Sequence, residues 1–220
     1  MDTYRNRAIP GLFFFIAAIL NLAGCLWAPA LADAVKPTLM PLLALYTLAC
    51  AGGKDIRLLL AALLFGCVGD ILLLQDGLLF FVGGMVAFFL GHLCYIFLFG
   101  SRSWRDMPLK GWLIAFSVIA VLLAGLVFAL HIKGVLLVPM ILYGTVLMLL
   151  VFSAFMGLAS LSDAAWRPIL AGALLFLVSD AMIAAQTFGA IPTTSLTHFL
   201  VMLTYIAAQT LLATGGRQLR

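Results

Sequence analysis

The chain contains no glutamate. Its eight acids are all aspartate, and charged residues make up 9% of the 220 against 65% hydrophobic, with a mean hydropathy of +1.23. A water-facing surface needs far more polar residues than that, so a soluble domain is excluded and an integral membrane protein is expected. Cysteine is scarce too. Cys25, Cys50, Cys67 and Cys94 stand singly in apolar runs without Cys-x-x-Cys spacing; they read as small core residues and say nothing about redox compartment. No nucleophile elbow, P-loop or dinucleotide fingerprint occurs. The formal charge of +4 and pI near 9.0 do not point to nucleic acid, because the basic residues sit in short loops between apolar runs, where they orient helices in a bilayer.

What is present is apolar length. A spanning helix needs about 20 apolar residues, and on that measure eight segments emerge, at 9–31, 37–52, 57–76, 85–101, 111–130, 134–158, 166–186 and 195–214. The expected fold is an all-α membrane protein of about eight transmembrane helices, a single transmembrane domain over 1–220. With eight spans, one side collects Arg5, Arg7, Lys54, Arg57, Arg102, Arg105, Lys110, Arg167, Arg217 and Arg220, and the other keeps Lys36 and Lys133. That split places both termini in the cytoplasm, with a bacterial inner membrane as the expected location. Leu22-Ala23-Gly24-Cys25 and Ala30-Leu31-Ala32 imitate processing sites, but the apolar run continues to Leu31 and is long enough to stay as an uncleaved anchor.

Six of the eight acids fall at span ends or in loops: Asp2, Asp33, Asp55, Asp76, Asp106 and Asp163. Asp70 and Asp180 lie inside spans, where an ionisable group is costly and a functional reading is the default; the plainer alternative is a hydrogen bond that locks helix packing. The two are 110 residues apart, and a shift of 110 also aligns Arg57 with Arg167 and Tyr95 with Tyr205. Rare residue types kept in register predict two parallel four-helix repeats, 1–110 and 111–220, related by a pseudo-two-fold along the membrane normal. Because the counterpart of Gly77 to Gly84 is a loop, helix 4 is expected to start near Met85. Asp70 and His92 then lie about 9 and about 10 Å below the outer ends of their helices, and Asp180 at a similar depth.

Two carboxyls in one cavity cannot both ionise easily, so the pair is expected to divide into one protonated acid and one carboxylate base, a division suited to general acid–base hydrolysis. His92 and Tyr95, three residues apart on helix 4, are placed to hold a water or polarise a substrate oxygen, or else form a packed pair. Tyr205 repeats Tyr95, but Met202 stands where His92 would recur, so roles in the two halves differ. Ser179 adjoins Asp180 without facing it. Lys36, expected to open helix 2 on the outer side, is a snorkelling anchor or a contact for a lipid phosphate. His198 can join the two Asp and His92 as a metal ligand, though no metal-binding spacing is present and no cofactor is expected. His131 beside Lys133 reads as interfacial, and Asn21 and Gln209 as helix-to-helix hydrogen bonds.

These residues resemble the YhhN-like lysoplasmalogenases, whose bacterial and animal members are eight-helix membrane proteins. The likeness is carried by Lys36-Pro37-x-x-Met40-Pro41-Leu42, Phe65-x-x-x-Gly69-Asp70-x-x-Leu73, Gly91-His92-x-x-Tyr95 and Gly172-Ala173-Leu174-Leu175-Phe176-x-x-Ser179-Asp180, in that order along essentially the whole chain. Gly91 departs from an expected Ala. The resemblance implies hydrolysis of the vinyl ether bond of a lysoplasmalogen, a single-chain phospholipid, to a fatty aldehyde and a glycerophospho-alcohol, with Asp70, Asp180 and His92 catalytic and Tyr95, Tyr205, Lys36, Ser179 and His198 around the substrate. The competing readings are a proton-coupled transporter, since carriers also pair intramembrane acids at repeat interfaces, and a metal-dependent lipid hydrolase.

Overall fold

The computed structural model describes residues 2–105, 107–161 and 163–219, with no side chains for residues 2–7. Asp106 and Arg220, and the side chains of Asp2, Arg5 and Arg7, lie outside the described residues. Among those described there are eight α-helices and no strand: α1 (Asp2–Trp27), α2 (Pro29–Ala49), α3 (Arg57–Leu72), α4 (Leu78–Ser103), α5 (Leu109–Ala129), α6 (Leu137–Ser160, after a 3-10 turn at Gly134–Leu136), α7 (Trp166–Thr187) and α8 (Ser195–Gln218). Six stretches are long and apolar enough to cross a membrane: Ala8–Trp27, Leu78–Ser103, Leu109–Ala129, Gly134–Ser160, Trp166–Thr187 and Ser195–Gln218. The other two helices are α2 and α3. With 16 residues, α3 is about 24 Å long against a hydrocarbon core of about 30 Å, and α2 carries Asp33 and Lys36 in its first two turns.

Three expected boundaries change. The first two helices meet at Ala28, not at a loop over 32–36. Pro29 is tolerated in the first helical turn, where its missing N–H costs nothing, and it pushes Ala28 out of helical geometry, to φ −148° and ψ 76°. Lys36 therefore lies two turns inside α2. Next, α4 begins at Leu78 rather than near Met85, because Gly77 (φ 116°) makes the turn in one residue and the apolar run after it is free to coil. Its counterpart in the second half remains a loop, with Gly189 at φ 73°, until Thr194 and Thr197 cap α8 reciprocally. Finally, α3 ends at Leu72, so Asp70 is two residues, about 3 Å, from its end, whereas Asp180 is about 10 Å from the end of α7 and His92 about 21 Å from the start of α4. The early turns of α4 keep Asp70 covered: Gly69 lies under Phe88 and Gly84 under Leu73.

The helices pack in a closed ring, α1 on α2, then α3, α4, α6, α7, α8 and back to α1, with α8 also touching α2 and α3. The fifth helix stands outside the ring, packed on α6. Pro37 and Pro41 tie α2 to α3. Having no N–H, Pro41 cannot bond the carbonyl of Pro37, and Cys67 donates its thiol hydrogen to that carbonyl at 3.4 Å. At the opposite end, the Lys54 ammonium lies 3.3 Å from the carbonyls of Arg217, Gln218 and Leu219, and Arg217 donates to Cys50 at 3.0 Å, so basic side chains satisfy the last carbonyls of α8 and α2.

Glycine permits close helix approach at several positions, two of them on helices that carry the acids and His92. A Cβ on Gly172 would stand 2.9 Å from the Ala208 carbonyl oxygen and 3.0 Å from the Leu212 nitrogen, both backbone atoms that cannot swing aside. Gly91 is less tight, with the Ala62 carbonyl 3.1 Å from such a Cβ. Gly172→Val is accordingly expected to force α7 and α8 apart and cost about 1–3 kcal/mol. A thermal midpoint in detergent within about 1 °C of the parent would show that the interface yields instead.

Candidate active site

Asp70 is buried and Asp180 half-buried, and each accepts from a tyrosine; the two tyrosines, Tyr205 and Tyr143, do not occupy equivalent positions of the two halves. Asp70, in the last turn of α3 and 2% exposed, accepts 2.7 Å from the Tyr205 hydroxyl on α8 and lies 3.7 Å from the Lys36 ammonium on α2. Lys36, 13% exposed, is thus turned inward to a carboxylate and not outward to the membrane surface. One helical turn beyond Tyr205, Gln209 accepts 2.6 Å from the Tyr95 hydroxyl. Glycine at position 66 leaves room for this row, since a Cβ there would come within 3.1 Å of the Gln209 amide nitrogen and 3.4 Å of the Tyr205 oxygen.

Asp180 on α7 accepts a short hydrogen bond from the Tyr143 hydroxyl on α6. The antiparallel packing of those helices, with Gly157 against Trp166 at the other end, places an early residue of α6 beside a late residue of α7. Asp180 and Tyr143 line a narrow crevice of about 80 Å³. The rest of its wall is apolar: Leu73, Met85, Phe88, Leu126, Leu147 and Ile183 are representative.

His92 lies beside Tyr143, the hydrogen-bond partner of Asp180. It is 2% exposed, its Nδ1 lies 2.5 Å from the Phe88 carbonyl, and its ring meets Phe176 at 4.5 Å and Tyr143 at 5.6 Å, both edge to face. The Phe88 contact assigns the proton to Nδ1. That leaves Nε2 a lone-pair acceptor, and among the described residues it has no hydrogen-bond partner. A buried acceptor without a partner is an open position for a donor. Phe88, Phe176 and Tyr205 pack on one another at 5.5 to 6.2 Å, so an aromatic cluster joins the Asp70 group to the Asp180 crevice.

The remaining sequence candidates are placed differently. Ser179 is fully buried and donates to the Val201 carbonyl at 3.2 Å, tying α7 to α8. Tyr95 sits one layer away from Asp70, on Gln209. His198 is partly buried and within reach of the charges of Lys36 and Asp33. Among the described residues no three His, Cys or Asp side chains gather in a metal-binding group. His131 is exposed at φ 51° and stacks on Phe128, and Asn21 donates to the Ala32 carbonyl across α1 and α2 at 2.9 Å. The sequence reading missed Tyr143. Its register partner under the 110-residue shift is Asp33, so the repeat gave no reason to select it, and a lone tyrosine in Leu142-Tyr143-Gly144 carries no other mark.

A model of the YhhN family matches residues 31–216. The chain is 34% identical over 199 residues to human lysoplasmalogenase TMEM86B, covering 86% of this chain and 78% of that protein, and 32% identical over 186 residues to the rat protein of the same name, covering 84% and 72%. Bovine lysoplasmalogenase TMEM86A is 33% identical over 165 residues, 72% of this chain and 64% of that one. No solved structure matches. With a family model covering all four motifs and relatives aligned over most of its length, the chain belongs to the YhhN family.

Proposed function

We propose that this protein is a membrane hydrolase that cleaves the vinyl ether bond of lysoplasmalogens. The observation that carries the reading is the Asp180–Tyr143 pair set in an otherwise apolar crevice, with the names of the relatives pointing the same way. The apolar walls suit the vinyl end of an alkenyl chain, and the carboxyl among them meets the ether. The reaction adds one water: R–CH=CH–O–R′ becomes R–CH₂–CHO and HO–R′. Proton transfer to the outer vinyl carbon gives an oxocarbenium ion, water adds to the carbon bearing oxygen, and the hemiacetal collapses as the glycerol oxygen leaves with a proton.

Asp180 is the proton donor in this scheme. Among the described residues no cation lies within ion-pair distance of it, and unpaired charge in an apolar crevice is costly. Asp70, with Lys36 beside it, is the carboxylate whose field stabilises the cation through the aromatic cluster. His92 Nε2 is the acceptor that orients the attacking water. The reading also places all eight helices in the membrane, both termini in the cytoplasm, and two four-helix halves in one unit over 1–220, on the charge distribution and the 110-residue register described above. Purified protein given a defined lysoplasmalogen is expected to release stoichiometric fatty aldehyde. Folded protein that releases none, and instead moves protons with a solute across liposomes, would replace this reading with a carrier.

A further inference from the structure

Beside the Asp180 crevice lies a second hollow that the reaction scheme leaves unused. It runs between α5 and α6, has a volume of about 770 Å³, and ends at the 130–133 connection. The two faces of α6 serve the two spaces. Leu137, Ile141 and Thr145, four residues apart, line the outer groove, whereas Met140, Tyr143, Gly144 and Leu147 line the crevice, as the 3.6-residue period requires. Leu123 on α5 lines both. It is 6% exposed, and glycine at 144 is what lets it sit there, since a Cβ on Gly144 would stand 2.6 Å from Leu123 Cδ2. The far helix of the groove, α5, is the one outside the ring and packs on α6; parting the two breaks no other large interface.

The charge at the groove mouth identifies what it holds. His131 and Lys133 line the mouth, both exposed, and the lining contains no acid. Inward from them the walls are apolar, including Ile119, Ala120, Val127 and Ile141. A cation at the membrane surface above a long apolar slot matches an anionic head group on a hydrocarbon chain. The mouth is also on the correct side: α6 starts there, and Tyr143 lies about 9 Å below its first residue, which sets Asp180 one short step deeper than a phosphate held at Lys133.

We propose that the α5–α6 groove is the docking site for a single-chain phospholipid, with its phosphate on Lys133 and His131, its chain along the groove, and Leu123 as the barrier it passes to reach Asp180. The identity of the lipid rests on the hydrolase reading; the existence of the site does not. The test uses the full chain in nanodiscs and a saturated 1-O-alkyl lysophosphoethanolamine bearing a diazirine in its chain, which has no vinyl ether and cannot turn over. Photolabel is expected on peptides spanning 116–127 and 137–145, displaced by unlabelled single-chain lipid and far less by two-chain phosphatidylethanolamine.

Lys133→Gln, in an exposed connection, is expected to raise the concentration needed for displacement about fivefold, the worth of one surface cation. The same variant is expected to raise KM for lysoplasmalogen about fivefold while kcat stays within about twofold. Ala120→Trp fills the groove and is expected to abolish labelling; should it not fold, Lys133→Gln decides alone. Label on other helices, equal displacement by two-chain lipid, or displacement unchanged in Lys133→Gln would overturn the proposal. Labelling as expected in a protein that releases no aldehyde would retain the docking site and reject the hydrolase reading.

Discussion

Asp180→Asn protein is expected to release fatty aldehyde about 10³-fold more slowly than the parent. Asparagine keeps the shape of the side chain, and its amide oxygen still accepts from Tyr143, so the packing of α6 on α7 survives. What is lost is a proton that can be transferred to carbon, and general acid catalysis of this kind contributes about 10²–10⁴ in rate. The same change at Asp70 removes a carboxylate charge that acts on the developing cation across the aromatic cluster and is expected to slow release as well, with the Tyr205 contact again retained. Thermal melting alongside the rate assay separates chemistry from folding. A folded Asp180→Asn variant that keeps more than about a tenth of the parent rate would remove Asp180 from the mechanism.

Lys36→Met is expected to be the most damaging single change to stability. The methionine stem fills most of the lysine's volume, but the buried Asp70 carboxylate then has Tyr205 as its one polar partner. Breaking a buried pair from one side costs about 3–5 kcal/mol because the remaining charge is uncompensated, which for a chain of this size lowers the melting midpoint by about 10 °C. The double variant Lys36→Met with Asp70→Asn carries neither charge and is expected to recover most of that loss. If the single Lys36→Met variant melts with the parent, or the double variant melts lower than both singles, the two charges do not form a pair.

Much of the molecule was legible before its structure. The membrane class follows from composition, and the prominence of Asp70 and Asp180 follows from their being charged groups inside apolar runs. Both are local properties of the chain. Gln209 as a helix-to-helix hydrogen-bonding residue was readable for the same reason, since an isolated amide in an apolar helix needs a partner. Boundaries were less secure where one signal overrode another. The repeat argued for a loop over Gly77 to Gly84, but a single glycine at φ 116° made the turn and left the following apolar residues to form the first turns of α4. Pro29 likewise moved the start of α2 and carried Lys36 inside it.

The sequence by itself determined that this chain is a bundle of apolar helices with two costly carboxylates, because hydropathy and the price of burying charge are summed along the backbone. The tertiary structure alone decided which groups meet those carboxylates. Tyr205 reaches Asp70 across 135 residues and Tyr143 reaches Asp180 across 37; Lys36 turns inward to Asp70, and His92 faces Tyr143 and Phe176 with an unpartnered nitrogen. Such pairings depend on the rotation and neighbour order of helices around the ring. In an apolar chain many rotations bury similar area, so packing at Gly69 and Gly172, where a ring and a backbone approach too closely for a Cβ, selects the one in which the polar groups find each other.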